Sequence, residues 1–261
     1  MSESRSVVSI KNVSKVFGKQ GEAQTTALQN IDLEIQTGEF ISLIGPSGCG
    51  KSTLLRVIGD LITPSQGTVL VNGKSAEQAR RERDYGIVFQ APVLFEWRNV
   101  QTNVELPLEI MKKSSAEKSA KAKEMLELVE LDGFAKHYPW QLSGGMQQRV
   151  SIARALSFNP ALLLMDEPFG ALDEITRERL NAELLKIWDR TQKTIVFVTH
   201  SIPEAVFLST RVVVMSARPG RITKIIPIDL SHPRGLETRE AKRYFELITE
   251  VREALRAGES V

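Results

Sequence analysis

The fold of this chain is decided at residues 45–52, which read Gly45-Pro46-Ser47-Gly48-Cys49-Gly50-Lys51-Ser52. A glycine, four further residues and then Gly-Lys-Ser is the spacing of a phosphate-binding loop, or P-loop. The apolar run Phe40–Ile44 precedes the loop and predicts a buried strand, and Ser52–Ile58 continues it as a predicted helix. A strand, this loop and a helix in that order predict a nucleotide-binding element.

Each part of the loop has a chemical reason to hold phosphates. Its glycines let backbone N–H groups turn inward, and the following helix presents its positive end to the anion. The Lys51 ammonium is expected at the β- and γ-phosphates, and the Ser52 hydroxyl can ligate Mg²⁺. Cys49 is expected to fill space, because no histidine adjoins it in the sequence to activate the thiol. The predicted ligands of ATP are therefore the eight residues quoted above, together with Thr53.

The composition limits the kinds of protein this chain can be. Its 261 residues are 42% hydrophobic and 25% charged, which is ordinary for a globular domain. Thirty-four basic and 32 acidic side chains give a net charge of +2, which argues against a dedicated surface for nucleic acid. The single cysteine excludes an internal disulfide and fits a reducing compartment. No apolar run approaches the roughly 20 residues of a membrane span, and Met1–Arg5 leads into no secretory signal.

The pattern along the chain predicts an α/β protein with an inserted helical part. Before the P-loop, apolar residues near 28–35 approach the alternation of strands. From about 98 to 138 the pattern becomes helical, and Ser114 with Glu117 forms a capping box. After residue 160, apolar strands alternate with helices, which predicts a mostly parallel sheet covered on both faces.

Several polar residues follow predicted strands and are candidates for catalysis. Asp166 and Glu167 end the apolar run 162–165, so Asp166 is expected to bind Mg²⁺ and Glu167 to polarise the attacking water. Carboxylates at a strand end are common surface residues, but a P-loop in the same chain favours the catalytic interpretation. His200 and Gln90 end two further apolar runs, where a γ-phosphate would be sensed. Taken singly, neither residue would indicate a function.

A second anion-binding device follows at Ser143-Gly144-Gly145, just before a predicted helix. Backbone amides, a hydroxyl and a helix N-terminus can together hold a phosphate. One nucleotide does not need two such devices from one chain. The second device therefore predicts a nucleotide that is held by another copy of the chain.

Together these residues resemble the ATP-binding subunit of ABC transporters, and the resemblance covers nearly the whole chain. The motifs stand in the order found in that family. They are Phe17 as the adenine-stacking aromatic, Gly45–Ser52 as Walker A, Gln90 as the Q-loop, Leu142–Met146 as the signature, Leu162–Glu167 as Walker B, Ala171–Asp173 as the D-loop and His200 as the switch histidine.

Two positions depart from the family pattern. Met146 stands where the signature usually has Gln, and Phe17 stands where the adenine-stacking residue is usually Tyr. Phe17 keeps the stacking face but lacks the hydroxyl, and an aromatic in a β-region is often a core residue. Neither change removes Ser143 or the backbone amides, so we expect activity to persist.

The resemblance implies a P-loop NTPase fold of ABC type, with an antiparallel N-terminal β-part and an inserted helical subdomain. Residues 1–90 and 158–235 would form the ATP-binding core, 91–157 the helical subdomain and 236–261 a C-terminal amphipathic helix. The implied catalytic residues are Lys51, Glu167 and His200. The implied Mg²⁺ ligands are Ser52, Gln90 and Asp166. Further nucleotide-binding residues would be Phe17, Gln90, Ser143, Gly144, Gly145 and Asp173.

The resemblance also implies how the protein would act. Two copies would close head-to-tail around two ATP molecules at the cytoplasmic face of a bacterial inner membrane. Closure would drive membrane permease subunits, with a periplasmic or extracellular solute-binding protein as an indirect partner and no nucleic acid. Stretches such as Ala217–Ile222 are similar to importers of nitrate, sulfonate, taurine and pyrimidine-type vitamin precursors.

Some alternatives stay open at the level of sequence. Phe95 and Trp97 are candidates for permease contacts or for packing under the helical subdomain. The C-terminal helix, with Tyr244, Ile248, Val251 and Leu255 at helical spacing, either docks on its own domain or binds a partner. A non-transport ABC ATPase would typically carry coiled-coil insertions, zinc sites or fused cassettes, and a P-loop kinase or GTPase would lack the signature.

Overall fold

The computed structural model describes residues 6–18 and 23–259 of the chain, which form two β-sheets surrounded by helices. The first sheet has the strand order β2-β1-β4-β5 and is antiparallel throughout. Its strands are β1 (Ser6–Phe17), β2 (Thr25–Gln36), β4 (Gln66–Val71) and β5 (Lys74–Ser75). The N-terminal antiparallel part of the predicted fold is thereby confirmed.

The second sheet is the core of the molecule and has the order β10-β9-β3-β8-β7-β6. Its neighbouring strands are parallel, except that β10 runs antiparallel to β9 at one edge. Its strands are β3 (Phe40–Ile44), β6 (Tyr85–Val88), β7 (Leu162–Asp166), β8 (Thr194–Val198), β9 (Arg211–Met215) and β10 (Ile222–Pro227). The mostly parallel core sheet predicted from the apolar runs is confirmed.

The central strands consist mostly of apolar residues because both faces of the sheet are covered. Successive side chains point to opposite faces, so each strand supplies two separate cores. In β8, Val196 and Val198 pack with the first sheet and with helix α1 (Lys51–Ile58), whereas Ile195 and Phe197 pack with the helices of the other face. Every residue of β3, β7 and β8 is buried.

Several helices begin where the sequence places capping residues. Ser114 and Glu117 form the predicted capping box at the start of the helix that begins at Ser115, and Ser143 and Asp173 cap the helices that begin at Gly144 and Glu174. The helices are α1 (Lys51–Ile58), α2 (Ala76–Glu82), α3 (Val100–Ile110), α4 (Ser115–Leu128), α5 (Gly144–Leu156), α6 (Glu174–Thr191), α7 (Ile202–Leu208), α8 (Leu236–Glu240) and α9 (Lys242–Glu259).

The C-terminal region differs from the single helix expected over 236–261, whose last two residues lie outside the described part. Ala241 is extended and separates α8 from α9, because the two segments reach different partners. Arg239 of α8 lies over the Phe207 ring and bonds Glu178. The apolar face of α9, including Tyr244 and Val251, is buried in the core beside α7 and β9. This face of α9 is therefore used within the domain.

None of the helices in the described ranges combines the length and the apolar character that crossing a lipid bilayer requires. The expectation of no secretory signal rests on residues 1–5, which lie outside the described part.

Candidate nucleotide-binding site

The topology of the core sheet gathers the sequence motifs at one edge. The P-loop follows β3, and the strands next to it in order are β8, β7 and β6. Because parallel strands end at the same edge, the residues that follow them become neighbours. His200, Glu167 and Gln90 follow β8, β7 and β6 respectively, although the sequence separates them widely.

The P-loop is shaped by close packing on the first sheet. Gly50 has a φ of 108°, and a Cβ added to it would lie 2.8 Å from Leu28 Cδ2. Only glycine fits this position, and α1 starts directly after it. No side chain caps that helix, so its first N–H groups face the loop rather than a capping oxygen.

Lys51 lies inside the loop and is 6% exposed. Its Nζ donates hydrogen bonds to the carbonyl oxygens of Gly45 at 2.8 Å and Pro46 at 3.0 Å. These bonds hold the ammonium within the curve of the loop. A buried cation at this place attracts an anion strongly, since little water screens it.

Ser52 and Asp166 come together where a divalent cation would be held. The Ser52 hydroxyl donates to Asp166 Oδ1 at 2.6 Å, and Asp166 is buried at the end of β7. Within the described ranges, no cluster of three or more His, Cys, Asp or Glu side chains could form an all-protein metal cage. A single carboxylate with a hydroxyl suits Mg²⁺, which usually keeps several waters and takes further oxygens from phosphates.

Glu167 and His200 form a pair beside this centre. Glu167 Oε2 lies 3.5 Å from His200 Nδ1, and the Glu167 N–H donates to the Val198 carbonyl at 3.1 Å. Glu167 has a φ of 47°, an uncommon conformation for a residue with a side chain. Such conformations persist where surrounding structure holds them, and they are frequent at functional sites.

The turn that carries His200 is fixed by a buried polar contact. Thr199 Oγ1 donates to Glu204, and the Ser201 N–H donates to Thr199 Oγ1 at 2.9 Å. Burial raises the pKa of the Glu204 carboxyl above its ordinary value. This contact ties the start of α7 to the end of β8 and thereby orients His200.

Gln90 lies close to the Glu167 carboxylate. A Cβ built on Gly170 would be 3.3 Å from Gln90 Nε2 and 3.5 Å from Glu167 Oε2, so the two side chains flank Gly170. Gln148 of α5 donates to the Phe89 carbonyl at 3.0 Å and holds the chain just before Gln90. Gln90 itself is exposed.

A cavity of about 460 Å³ opens over the P-loop. Its wall includes eight residues predicted from the sequence and three that the sequence reasoning missed, Thr25, Ala27 and Arg218. The predicted residues in the wall are Phe17, Ser47, Gly48, Gly50, Lys51, Ser52, Thr53 and Glu167. Thr25 and Ala27 belong to no chemical motif, and Arg218 stood out only as part of Ala217–Ile222.

Other predicted residues lie around the cavity rather than in its wall. Gly45, Pro46 and Cys49 form the back of the loop, and burial raises the pKa of the Cys49 thiol, as suits a space-filling side chain. Asp166 reaches the site through Ser52, and His200 reaches it through Glu167. Phe17 is 41% exposed at the mouth of the cavity, with Lys15 Nζ 5.0 Å from its ring centre. It is therefore not a core residue.

The signature residues do not border the cavity. Ser143 and Gly144 are exposed at the start of α5, where Ser143 Oγ accepts a bond from the Met146 N–H at 3.3 Å. The Met146 side chain packs against the core and takes no part in this cap. Asp173 caps α6 by accepting from the Thr176 N–H at 3.0 Å, and it also lies away from the cavity wall.

Comparisons with known proteins identify the family of this chain. The family model described as ABC transporter matches residues 28–170. The aliphatic sulfonates import ATP-binding protein SsuB of Bacillus thuringiensis is 44% identical over 96% of each chain. The taurine import ATP-binding protein TauB of Rhizobium johnstonii is 42% identical over 98% of each.

A solved structure gives the same fold. The dimeric post-hydrolysis state of an ATP-binding cassette bound to ADP and Pi has a TM-score of 0.73 and 39% identity, covering 86% of this chain and all of the other. This chain belongs to the ABC transporter family. It is an ATP-binding subunit of that family, an ATPase whose hydrolysis is coupled to transport.

Proposed function

We propose that two copies of this chain close around two ATP molecules and thereby power import of a small solute through membrane permease subunits. The observation that carries this proposal is the position of Ser143. The exposed N-terminus of α5 can bind an anion, yet it borders no part of the cavity that holds Lys51 and Glu167. A site completed by the second subunit explains both facts.

The chemistry at each site would be divided among a few side chains. Lys51 would hold the β- and γ-phosphates, and the Ser52–Asp166 pair, with Gln90, would hold Mg²⁺. Bound there, the cation would neutralise phosphate charge. Glu167 polarises the attacking water. His200, whose Nδ1 lies 3.5 Å from Glu167 Oε2, orients the Glu167 carboxylate toward the γ-phosphate. Phe17 would stack on the adenine, and Asp173 would approach the partner's site.

The permease is proposed to dock beside Gln90, so that the bound γ-phosphate and the permease are sensed by neighbouring residues. An apolar groove of about 280 Å³ runs between β6 and α3 there, and its wall includes Phe89, Pro107 and Ile110. Arg154 fixes the segment after Gln90 through bonds to the Pro92 and Val93 carbonyls. Trp97 is 73% exposed and stacks on Phe95, at 4.8 Å between ring centres, which favours a contact role for Trp97.

We further propose that the division of the chain follows its motifs. Residues 1–90 and 158–235 form the ATP-binding core, and 91–157, which contain α3, α4 and α5, form the helical subdomain with the signature. The protein would lie at the cytoplasmic face of the plasma membrane as a peripheral subunit. The relatives named for sulfonates and taurine support a sulfonate as the solute, ahead of nitrate and pyrimidine precursors.

A mixing experiment tests the shared site. Ser143→Arg removes the signature contribution and Lys51→Ala removes the P-loop contribution, so each homodimer is expected to be nearly inactive. Mixed dimers contain one site with an intact P-loop and an intact signature, which is about a quarter of all sites in an equal mixture. Mixing should therefore restore a clear part of the wild-type ATPase rate. Two variants that stay as inactive together as apart, despite exchanging subunits, would contradict the shared site.

The solute is tested separately in cells. Loss of this chain should abolish uptake of labelled taurine or an alkanesulfonate, and Glu167→Gln should not restore it. Unchanged sulfonate uptake together with lost nitrate uptake would move the assignment to nitrate.

A further inference from the structure

The loop between β9 and β10, residues 216–221, lies against the P-loop. Strand β9 pairs with β3, so its end lies next to the start of the P-loop. The loop is held there by backbone bonds with β2, from the Gly220 N–H to the Ala27 carbonyl and from the Gln29 N–H to the Gly220 carbonyl, both 3.0 Å. A Cβ added to Gly220 would lie 2.0 Å from the Cys49 carbonyl oxygen, so the contact tolerates no larger residue.

Arg218 extends from this loop into the wall of the nucleotide cavity. Its Nη2 donates to the Gly48 carbonyl at 3.2 Å, and the side chain is exposed. This is the one hydrogen bond that Arg218 makes with the described part of the chain, so most of its N–H groups face the cavity or solvent. A guanidinium has five donors in a planar fork, which matches the oxygens of phosphate.

The charged side chains in the cavity wall show why a cation at position 218 matters for binding phosphate. Among the described residues in the wall, the charged ones are Lys51, Glu167 and Arg218. Two bonds to P-loop carbonyls already hold Lys51, and Glu167 is an anion. Arg218 therefore supplies half of the positive side-chain charge in the described part of the cavity wall, which a nucleoside triphosphate would meet.

We propose that Arg218 is a nucleotide-binding residue, which reaches over Gly48 and donates to the phosphate chain of ATP. The proposal rests on the nucleotide site described above. The bond to Gly48 holds the guanidinium at the rim before the nucleotide arrives, which reduces the entropy lost on binding. Charge-assisted bonds of this kind are stronger than neutral ones.

Calorimetric titration of the purified full chain with ATP and with inorganic tripolyphosphate tests this proposal. Arg218→Ala is expected to weaken both affinities by about five- to tenfold, with a smaller effect for Arg218→Lys and a larger difference at low salt. Arg221→Ala is the matched control. Arg221 lies in the same loop, but its guanidinium bonds Gln29 Oε1 at 2.6 Å and does not line the cavity, so affinity should stay within about twofold.

Three results would overturn the proposal. Arg218→Gln keeps a donor for the Gly48 carbonyl without the charge, so full affinity in this variant would show that Arg218 only braces the loop. A loss for ATP but not for tripolyphosphate would place Arg218 on the nucleoside. Unchanged affinity in Arg218→Ala, while Lys51→Ala binds weakly, would remove Arg218 from the site and leave the nucleotide site standing. If Lys51→Ala also binds normally, the nucleotide site itself is misassigned.

Discussion

Two helices of this protein begin at glycine-containing loops, yet their N-termini are built differently. Helix α1 starts after Gly50 without a side-chain cap and opens into a cavity that contains Lys51. Helix α5 starts after Ser143, which caps it, and Ser143 and Gly144 are exposed but line no part of that cavity. The first opens into a cavity formed within one subunit, whereas in the proposed shared site the second would hold the phosphate of a nucleotide bound by the other subunit.

The largest effect should come from the catalytic carboxylate in the cavity at the start of α1. Glu167→Gln is expected to lower the ATPase rate by about 10²- to 10⁴-fold, because the amide cannot act as a general base. ATP should still bind, and an ATP-bound dimer should accumulate in size-exclusion chromatography. A variant with wild-type turnover would show that Glu167 does not activate the water.

The next effect concerns binding at α1. Lys51→Ala should weaken ATP binding by roughly 10- to 100-fold, since a buried cation beside the phosphates is lost. Calorimetric titration measures the change, and the free energy of unfolding of the unliganded chain serves as the control. ATP affinity equal to that of the wild type would remove Lys51 from the phosphate site.

A smaller effect should distinguish α5, whose cap is Ser143, from α4, whose cap is Ser114. Ser143→Ala and Ser114→Ala each remove an N-cap serine, so each should lower the free energy of unfolding by about 1 kcal/mol. Only Ser143→Ala should also lower turnover, by about tenfold, because only Ser143 is expected to meet the partner's nucleotide. Equal turnover in the two variants would mean that the Ser143 hydroxyl acts on α5 alone.

The smallest effect is a pH dependence at a third helix start, that of α7. Burial raises the pKa of Glu204 above its ordinary value of 4.5, so ionisation of this carboxyl disfavours the folded state. The contribution of the neutral form is fully present below about pH 4.5 and is lost as the pH rises through the raised pKa. Glu204→Gln cannot ionise, so it should be more stable than wild type at pH 7.

Urea unfolding at a series of pH values measures this margin, which should shrink to nothing toward acid. Because both proteins share all other titrating groups, their difference isolates Glu204. A margin that stays constant from pH 7 to the acid end would show that ionisation of Glu204 is not its cause.

Local features of this molecule could be predicted from the sequence because their geometry depends on near neighbours. The P-loop spacing, the capping box at Ser114 and Glu117 and the apolar strands on either side all appear in the structure as expected. The break at Ala241 was not predicted, because the amphipathic pattern shows which face is apolar but not which partner each turn reaches.

The sequence alone was sufficient to identify this chain as similar to ABC-type ATPases, because its phosphate-binding loops and strand-end residues resemble the motifs of that family and stand in the same order. Tertiary structure decided which of those motifs meet. The strand order brings His200 to Glu167, and the close packing of Gly220 brings Arg218 to Gly48, 170 residues away in the sequence. The tertiary structure also leaves Ser143 outside the cavity. Such juxtapositions depend on how strands pair and loops pack over the whole domain, which no local pattern encodes.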